Sequence, residues 1–259
     1  MSALSDGYAP GFSDDALAML TRRTAATRAA FFLPFLAPGM RVLDVGCGPG
    51  TITRGLADAS SPGGTCVGID VEASQIELAR AAAGANLSFE VASAYTLPFA
   101  DGSFDAVFSH ALFEHLARPA EVAAELFRVL RPGGVAGVCC SDWGDAFIDP
   151  RTPDVEQALS CHLALRRHAG GDPFAGASLE RWIAAAGFSD VEARVQHEVD
   201  MSYGEFARYI GRRIEAAAQA AEGSERERLL AGAEAARRWA QHDSGRLTQP
   251  WTAVTARRT

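Results

Sequence analysis

The sequence predicts an α/β protein built on a doubly wound, mainly parallel sheet. Five short apolar runs alternate with helical patterns between residues 41 and 140, and strict strand–helix alternation gives parallel pairing with helices on both faces. The runs are almost continuously apolar, as expected for strands that are covered on both sides. The chain has 259 residues, 48% of them hydrophobic, so it can bury one large core.

The predicted elements follow one another in a regular order. Apolar residues at helical spacing predict one or two helices over 13–37, ending near Pro38-Gly39. The same patterns then predict strands at 41–45, 65–70, 87–91, 104–109 and 134–140, with helices at 51–59, 72–83 and 119–130. Beyond Ser141 they predict helices at 154–167, 179–186, 203–221 and 226–240, and strands at 191–199 and 250–257.

Composition excludes several classes of function. All 24 basic residues are arginine, and without lysine the chain can form neither a Schiff base nor a lysine-containing phosphate loop. The net charge is −8 and no basic run exceeds two arginines, which disfavours a nucleic-acid partner. The longest apolar stretch, 29–40, is interrupted by Pro34 and Pro38, so no membrane span is expected.

The cysteines indicate a reducing compartment. They form no CxxC pair, their number is odd, and three lie in predicted strands, so we expect reduced, mostly buried thiols. They are Cys47, Cys66, Cys139, Cys140 and Cys161. Residues 1–8 lack the basic start and apolar body of a signal peptide, and together these features predict a cytoplasmic protein.

A glycine-rich turn follows the first predicted strand. Gly46, Gly48 and Gly50 let the backbone turn sharply and let a ligand approach closely. Asp70 ends the second strand, where its carboxylate can accept hydrogen bonds from ribose hydroxyls. The dinucleotide fingerprint requires a third glycine at the position that Thr51 occupies. The turn therefore predicts a nucleoside-containing cofactor with an amino-acid moiety rather than a diphosphate.

Six motifs occur in a characteristic order and spacing. They are Leu43–Gly50 (LDVGCGPG), Gly68–Asp70 (GID), Leu97–Phe99 (LPF), Phe104-Asp105, Glu114-His115 and Arg128–Gly134 (RVLRPGG). Together they resemble class I S-adenosylmethionine-dependent methyltransferases, in particular the branch of ubiquinone/menaquinone C-methyltransferases and natural-product methyltransferases. The resemblance is carried by residues 38–141 and implies a Rossmann-like methyltransferase fold. That fold has a seven-stranded sheet with an antiparallel last strand, here 250–257 beside 191–199, and added helices at the N-terminus and between the last two strands.

The resemblance also implies S-adenosyl-L-methionine as the cofactor, with S-adenosyl-L-homocysteine as its product. The three loop glycines would face the methionine portion, Asp70 the ribose and Val71 the adenine face. Ser93 and Ala94 match a stretch where the family often has an acidic residue at the adenine amino group, so Ser93 would be a weaker acceptor. His110 matches a position near the methionine end, and His115 is included in the predicted cofactor site.

Two side chains are candidates for direct action on the acceptor. Methyl transfer from a sulfonium is an in-line displacement that needs alignment and a dry cleft, and a general base helps when the acceptor is a hydroxyl or an amine. We hypothesise that His110 or Asp142 acts as the base or orients the acceptor. The alternatives are that His110 only packs on the cofactor and that Glu114-His115 pins the following turn. No metal site is predicted, because no carboxylate cluster has ligand spacing and His162 and His168 lie off a common helical face.

The flanks of the core are candidates for covering the site. We expect a single domain over 1–259, composed of an N-terminal helical lid (1–37), a core (38–200), a helical insertion (201–249) and the last strand (250–259). The added helices would shield the site and set acceptor specificity, or else form a scaffold or a dimer face. Tyr8, Phe12, Trp143 and Trp251 are candidate aromatic walls, although Trp251 on a strand also suits the core.

The sequence thus predicts a methyltransferase that acts on a small-molecule acceptor. The alternative is a non-catalytic subunit or sensor that binds S-adenosylmethionine or S-adenosylhomocysteine through the same turn. A nicotinamide dehydrogenase is disfavoured by Thr51. The identity of the acceptor, the choice between C-, O- and N-methylation, and the choice between monomer and homodimer stay open.

Overall fold

Parallel strands form the centre of one mixed sheet in the computed structural model, which describes residues 14–81, 83–199, 201–242 and 244–259. The strands are β1 (Arg41–Val45), β2 (Thr65–Asp70), β3 (Leu87–Val91), β4 (Phe104–His110), β5 (Leu130–Ser141), β6 (Phe147–Asp149), β7 (Ser189–Glu198) and β8 (Arg246–Arg257). Their order runs β3–β2–β1–β4–β5–β8, with parallel pairing from β3 to β5. β8 pairs antiparallel with β5, β6 and β7.

Helices cover both faces of this sheet and the end where the parallel strands finish. The α-helices are α1 (Asp14–Arg22), α2 (Ala25–Arg28), α3 (Thr51–Ala59), α4 (Ala73–Arg80), α5 (Pro119–Val129), α6 (Pro153–His168), α7 (Gly176–Ala185), α8 (Tyr203–Ala220) and α9 (Gly223–Trp239). Local sequence sets some of their starts: Ser202 and Glu205 form a capping box at α8. Within the described ranges, no helix is both long enough and apolar enough to cross a bilayer.

The predicted fold class is confirmed, with local differences. The sheet is mainly parallel, its last strand is antiparallel, and α8 and α9 lie between the last two strands. β5 begins at Leu130, four residues before the predicted strand, because the chain pairs with Phe104 and then shifts register before Val135. β8 begins before Pro250, and this extension pairs with the unpredicted short strand β6.

Several of the sequence motifs support the sheet rather than a ligand. The Arg128 guanidinium donates to the carbonyl oxygens of Leu97 and Phe99 at 2.9 and 2.7 Å. It also pairs with Glu125 and Asp101. The two motifs therefore contact each other: Arg128 of the Arg128–Gly134 motif binds the backbone of the Leu97–Phe99 motif. This contact fixes the loop between β3 and β4.

The N-terminal segment is anchored to the sheet by Phe32. Its ring is fully buried and lies 5.3 Å from the Phe108 ring of β4, measured between centroids. Gly137 of β5 lies beneath the same ring. This contact holds the short helices that precede β1 against the sheet.

We expect Gly137→Ala to destabilise the protein by about 1–3 kcal/mol, the usual cost of overpacking a core. A Cβ at this position would lie 2.6 Å from Phe32 Cγ. Urea unfolding followed by circular dichroism measures the effect. The matched control is Gly84→Ala in an exposed turn, where the nearest atom to an added Cβ is Asn86 Oδ1 at 3.8 Å. Equal free energies of unfolding for the two variants would contradict this account of the anchor.

Candidate active site

A cleft opens at the edge of the sheet where β1, β2, β3 and β4 end, as expected for open α/β sheets. Its water-accessible volume is about 190 Å³. Of the residues predicted to contact the cofactor or acceptor, those that line it are Gly46, Gly48, Asp70, Val71, Ser93, Ala94, His110 and His115. The remaining two, Gly50 and Asp142, are not among its lining residues.

The turn after β1 forms the floor of the cleft. The amides of Gly46 and Cys47 both donate to the carbonyl oxygen of Ile69, at 2.8 and 2.9 Å, which ties the turn to β2. Gly48 has a positive φ of 52°, and no atom lies within 4 Å of the position that a Cβ would take. The backbone here is therefore open to a ligand in a way that a side chain would prevent.

Gly50 follows the open part of the turn, and the position that a Cβ would take there faces the core. A Cβ on Gly50 would lie 2.6 Å from Phe89 Cζ and 3.1 Å from Ala79 Cβ. The residue caps the start of α3 with φ at 75°. Its glycine is explained by this left-handed conformation and by the close approach of Phe89 rather than by contact with a cofactor.

Asp70 faces the cleft from the end of β2 and is already held in place. Its Oδ2 accepts the amide hydrogen of Gly48 at 2.9 Å and its Oδ1 accepts that of Glu72 at 3.0 Å. Burial raises the pKa of this carboxyl, while these backbone donors oppose the rise. Each carboxylate oxygen can accept a further hydrogen bond, so Asp70 can bind the two hydroxyls of a ribose.

A buried carboxyl below the turn was not predicted. Asp44 of β1 is 2% exposed, and its Oδ2 accepts a hydrogen bond from Thr53 Oγ1 at 2.7 Å. Burial raises the pKa of Asp44 to about 7, and the nearby charge of Asp70 adds to the rise. An acidic residue within an otherwise apolar strand was the signal in the sequence that this carboxyl is buried.

His110 lies at the end of β4 with its ring stacked on Trp251. The ring centroids are 4.8 Å apart and the planes differ by 14°. Burial holds the pKa of His110 well below its usual range, and the charges of Arg23 and Arg28 lower it further. The imidazole is therefore neutral at physiological pH. Its Nε2 is buried without a hydrogen-bond partner in the described part of the chain.

A second cavity adjoins the cleft, where β5 and β7 end and β8 begins. Its water-accessible volume is about 60 Å³. Arg23, Ala111 and His115 line both spaces. The aromatic side chains that line the second cavity are Trp143, Phe206, Tyr209, His162 and Trp251. Of the predicted aromatic walls, Trp143 and Trp251 are placed here, whereas Tyr8 and Phe12 lie outside the described residues.

The Asp142 side chain is engaged in the turn that follows β5. Its Oδ1 accepts the amide hydrogen of Gly144 at 2.7 Å, and its side chain packs beside Gly176 at the start of α7. It is not among the lining residues of either cavity. The prediction that Asp142 acts on the acceptor does not fit this position, because the carboxylate is used to shape the turn after β5.

The residues of the cleft fit S-adenosylmethionine. The backbone at Gly48 is open to a ligand at the position that a Cβ would fill. The Asp70 carboxylate can accept further hydrogen bonds from the hydroxyls of a ribose. Val71 is 60% exposed and offers an apolar surface beside Asp70. Within 14–81, 83–199, 201–242 and 244–259, no three histidine, cysteine or acidic side chains come together as a metal site.

Comparisons with known proteins agree with this fit. A family model described as a methyltransferase domain matches residues 43–138. The chain is 31% identical over 215 residues to the demethylmenaquinone methyltransferase of Renibacterium salmoninarum, covering 75% of this chain and 86% of that protein. It is 35% identical over 172 residues to a methyltransferase of Schizosaccharomyces pombe, covering 62% and 60%.

A solved structure shows the same fold. It is the phosphoethanolamine N-methyltransferase 2 of Haemonchus contortus in complex with phosphomonomethylethanolamine and S-adenosylhomocysteine. The TM-score is 0.56 at 20% identity, over 96% of this chain and 53% of that one. The chain belongs to the S-adenosylmethionine-dependent methyltransferases, whose cofactor is S-adenosylmethionine. It spans 60% of the length of the Schizosaccharomyces pombe protein, and 44% and 62% of the length of two further curated relatives that it matches.

Sequence reasoning missed the polar side chains of the second cavity. Arg23, which follows α1, and Arg166 of α6 both line it, and Glu114 and His162 face them there. The four-residue spacing of His162 and Arg166 places them on one face of a helix, which was a detectable signal. For Arg23 the sequence carried no comparable signal.

We expect Asp44→Asn to remove a pH dependence of stability. A carboxyl whose pKa is raised on folding stabilises the fold fully below its unfolded pKa, near 4, and this contribution is lost as the pH rises through the folded value of about 7. The wild-type protein should lose up to about 4 kcal/mol from this group between pH 4 and pH 8. The asparagine variant should lose correspondingly less over that range.

Urea unfolding at several pH values gives the two stability profiles. The control is Asp58→Asn on the exposed side of α3, which should keep the wild-type profile. Superimposable profiles for Asp44→Asn and the wild type would show that Asp44 does not take up a proton on folding.

Proposed function

We propose that this chain transfers the methyl group of S-adenosylmethionine to a small-molecule acceptor in the second cavity. The observation that carries the proposal is that the two spaces are neighbours and share three lining residues. The cleft with Asp70 and the open backbone of Gly48 meets the second cavity at Arg23, Ala111 and His115. A ligand in each space would meet at this junction, as an in-line displacement requires.

The cofactor would be held by residues of the four central strand ends. Asp70 would bind the ribose hydroxyls, and the backbone at Gly46 and Gly48 would approach the methionine portion. Val71 would cover the adenine, with Ser93 and Ala94 at its edge. The bound cofactor supplies an electrophilic methyl group on a sulfonium, and no covalent catalysis by the protein is then needed.

Two neutral histidines would orient the acceptor. Burial lowers the pKa of both His110 and His115, and arginine charges add to the effect at each. A neutral imidazole can accept a hydrogen bond from an acceptor hydroxyl or amine, and in this way aim its lone pair. Asp142, which lines neither space, has no part in this proposal.

The flanking helices would exclude water from the junction. Leu20 of α1 lines the cleft, and Phe206 and Tyr209 of α8 line the second cavity. We therefore propose that the N-terminal segment and the insertion between β7 and β8 act as the lid of a single domain. Closure matters because a dry site strengthens the electrostatic interactions within it.

Cellular setting and partners follow from composition. We propose a cytoplasmic protein, because all five cysteine side chains are buried and suit a reducing compartment. We propose no nucleic-acid partner, because the net charge is −8.

Calorimetric titration tests the cofactor site. The wild type should bind S-adenosylhomocysteine, and Asp70→Ala should bind it at least about tenfold more weakly, because hydrogen bonds to a charged group are lost. The control is Glu77→Ala on the exposed face of α4, which should bind as the wild type does. Circular dichroism confirms that each variant is folded. Absence of heat with both S-adenosylmethionine and S-adenosylhomocysteine on folded wild type would refute the proposal.

Turnover tests the role of His110. With methyl-labelled S-adenosylmethionine and a panel of quinols, phenols and aromatic amines, each with and without a carboxylate on the ring, we expect His110→Ala to lower kcat by about 100-fold, the lower range for a proton-accepting group. His110→Asn should retain more activity because its amide can still form hydrogen bonds. Wild-type kcat should show no histidine titration between pH 6 and 8, since the lowered pKa keeps the ring neutral there.

The control for this experiment is His197→Ala on the exposed edge strand β7, which should leave kcat unchanged. Unchanged turnover in both His110 variants would remove that residue from the mechanism. Binding of S-adenosylhomocysteine with no methyl transfer to any member of the panel would favour the alternative of a non-catalytic binding subunit or sensor.

A further inference from the structure

Several hydrogen-bond donors in the second cavity have no partner among the described residues. Arg166 is 7% exposed, and its Nε and Nη2 have no hydrogen-bond partner among the described residues. The indole N–H groups of Trp143 and Trp251 are also buried and have no hydrogen-bond partner among the described residues. Of the two carboxylates in the lining, Glu198 is paired with Arg28, and Glu114 keeps one oxygen, Oε2, without a donor in the described ranges.

His162 adds a further donor, because Arg213 sets its tautomer. Arg213 Nη1 lies 3.1 Å from His162 Nδ1. Since a guanidinium can only donate, Nδ1 accepts this hydrogen bond. Burial holds the pKa of His162 well below its usual range, and the charges of Arg213 and Arg166 reinforce this. The ring is therefore neutral and carries its hydrogen on Nε2, which is buried with no partner in the part of the chain described.

The Arg166 guanidinium lies near Glu114 but makes no hydrogen bond to it. Arg166 Nη2 lies 4.0 Å from Glu114 Oε1, which is longer than a hydrogen bond, and Glu114 Oε1 accepts instead from Ser141 Oγ at 3.0 Å. Arg23 lines the same cavity, with its guanidinium carbon 5.1 Å from the centroid of the Trp251 ring. Because a buried charge is costly unless it is paired, the Arg166 guanidinium, which is 7% exposed, favours a ligand that brings an anion.

The remaining walls combine apolar side chains with the polar groups of Ser141, Gln249 and Tyr209, and they include a stacked aromatic pair. The rings of Trp143 and Phe206 are 5.1 Å apart between centroids, with planes 25° apart. Met19, Met201 and Leu247 complete this side. Such walls suit an apolar, flat body, since aromatic rings prefer offset stacking at these separations.

We propose that the acceptor is a small aromatic carboxylic acid, whose carboxylate binds Arg166 and His162 in the second cavity. This inference rests on the proposed function and names the substrate class of the same site. The carboxylate matches the fork of the guanidinium and the Nε2–H of the imidazole. The aromatic body lies along Trp143 and extends to the junction at His115. There a hydroxyl or amine on the ring forms a bond to the methyl carbon as the C–S bond of the sulfonium breaks, which leaves S-adenosylhomocysteine. The proton of that hydroxyl or amine passes to the neutral imidazole of His110.

Pairs of probe molecules test whether the second cavity recognises a carboxylate. The protein is saturated with S-adenosylhomocysteine in these experiments. Calorimetry compares benzoate with benzamide and 1-naphthoate with 1-naphthamide, since each pair has nearly the same shape and differs in charge. Each acid should bind roughly 10- to 100-fold more tightly than its amide, the range for hydrogen bonds to a charged group. Equal binding of acid and amide, or no binding of any probe at millimolar concentration, would overturn the proposal.

Variants of α6 test whether Arg166 causes the preference for an acid over its amide. Arg166→Gln should abolish the preference for the acid, and Arg166→Lys should retain part of it because the charge stays while the fork is lost. The control, Arg167→Gln, alters the adjacent exposed residue and should keep the full preference. A full preference in Arg166→Gln would refute the assignment. If that variant fails to fold, Arg166→Lys decides, and a preference equal to wild type in it would refute the bidentate contact.

The affinity for S-adenosylhomocysteine separates this inference from the proposed function. All of these α6 variants should bind it as the wild type does, because Arg166 is not among the residues that line the cleft. Wild-type protein that does not bind S-adenosylhomocysteine would refute the proposed function. Protein that binds it but shows no preference for acids would refute only the assignment of the acceptor.

Discussion

The hydrogen bond from the Gly48 amide to Asp70 Oδ2 is the interaction on which the cofactor cleft depends. At 2.9 Å it joins the turn after β1 to the end of β2, and the amides of Gly46 and Cys47 reinforce it through the carbonyl of Ile69. The turn is thereby fixed without help from a ligand. A site held in its binding conformation spends less free energy on ordering when it binds. The same carboxylate that supports the turn would receive the ribose, so support and recognition act through one side chain.

The topology of the sheet separates the glycine-turn cleft from the second cavity. β1 to β4 are parallel, so their carboxyl ends meet at one edge, and there the backbone of the glycine turn is exposed. β8 runs the other way and brings its first residues to that edge, where Trp251 pairs with Ser141 of β5. Large side chains from β8, α6 and α8 therefore surround the neighbouring space. The reversal of one strand gives the edge two regions of different chemistry.

The sequence predicted what local patterning determines and missed what distant packing determines. Apolar runs and a final acidic residue placed β2 and Asp70 correctly, because both signals lie within a few residues. The start of β5 was missed because Pro132, Gly133 and Gly134 imitate a turn, although the chain continues as an irregular strand there. Gly50 faces Phe89, which is 39 residues away in the sequence, and the pairing of β5 with β8 sets the surroundings of Asp142. Spacing within a motif contains no information about such contacts.

The polar groups of the second cavity are better explained by binding than by stability. Arg166 and Glu114 are both buried, yet their closest approach is 4.0 Å and each keeps an atom without a partner among the described residues. A buried polar group left without a hydrogen bond costs roughly 1–3 kcal/mol. Apolar residues of similar volume in place of a buried ion pair are often neutral or stabilising. A fold that only needed a core here would gain by losing these side chains. Their presence at the junction with the cofactor cleft follows if a ligand completes their hydrogen bonds.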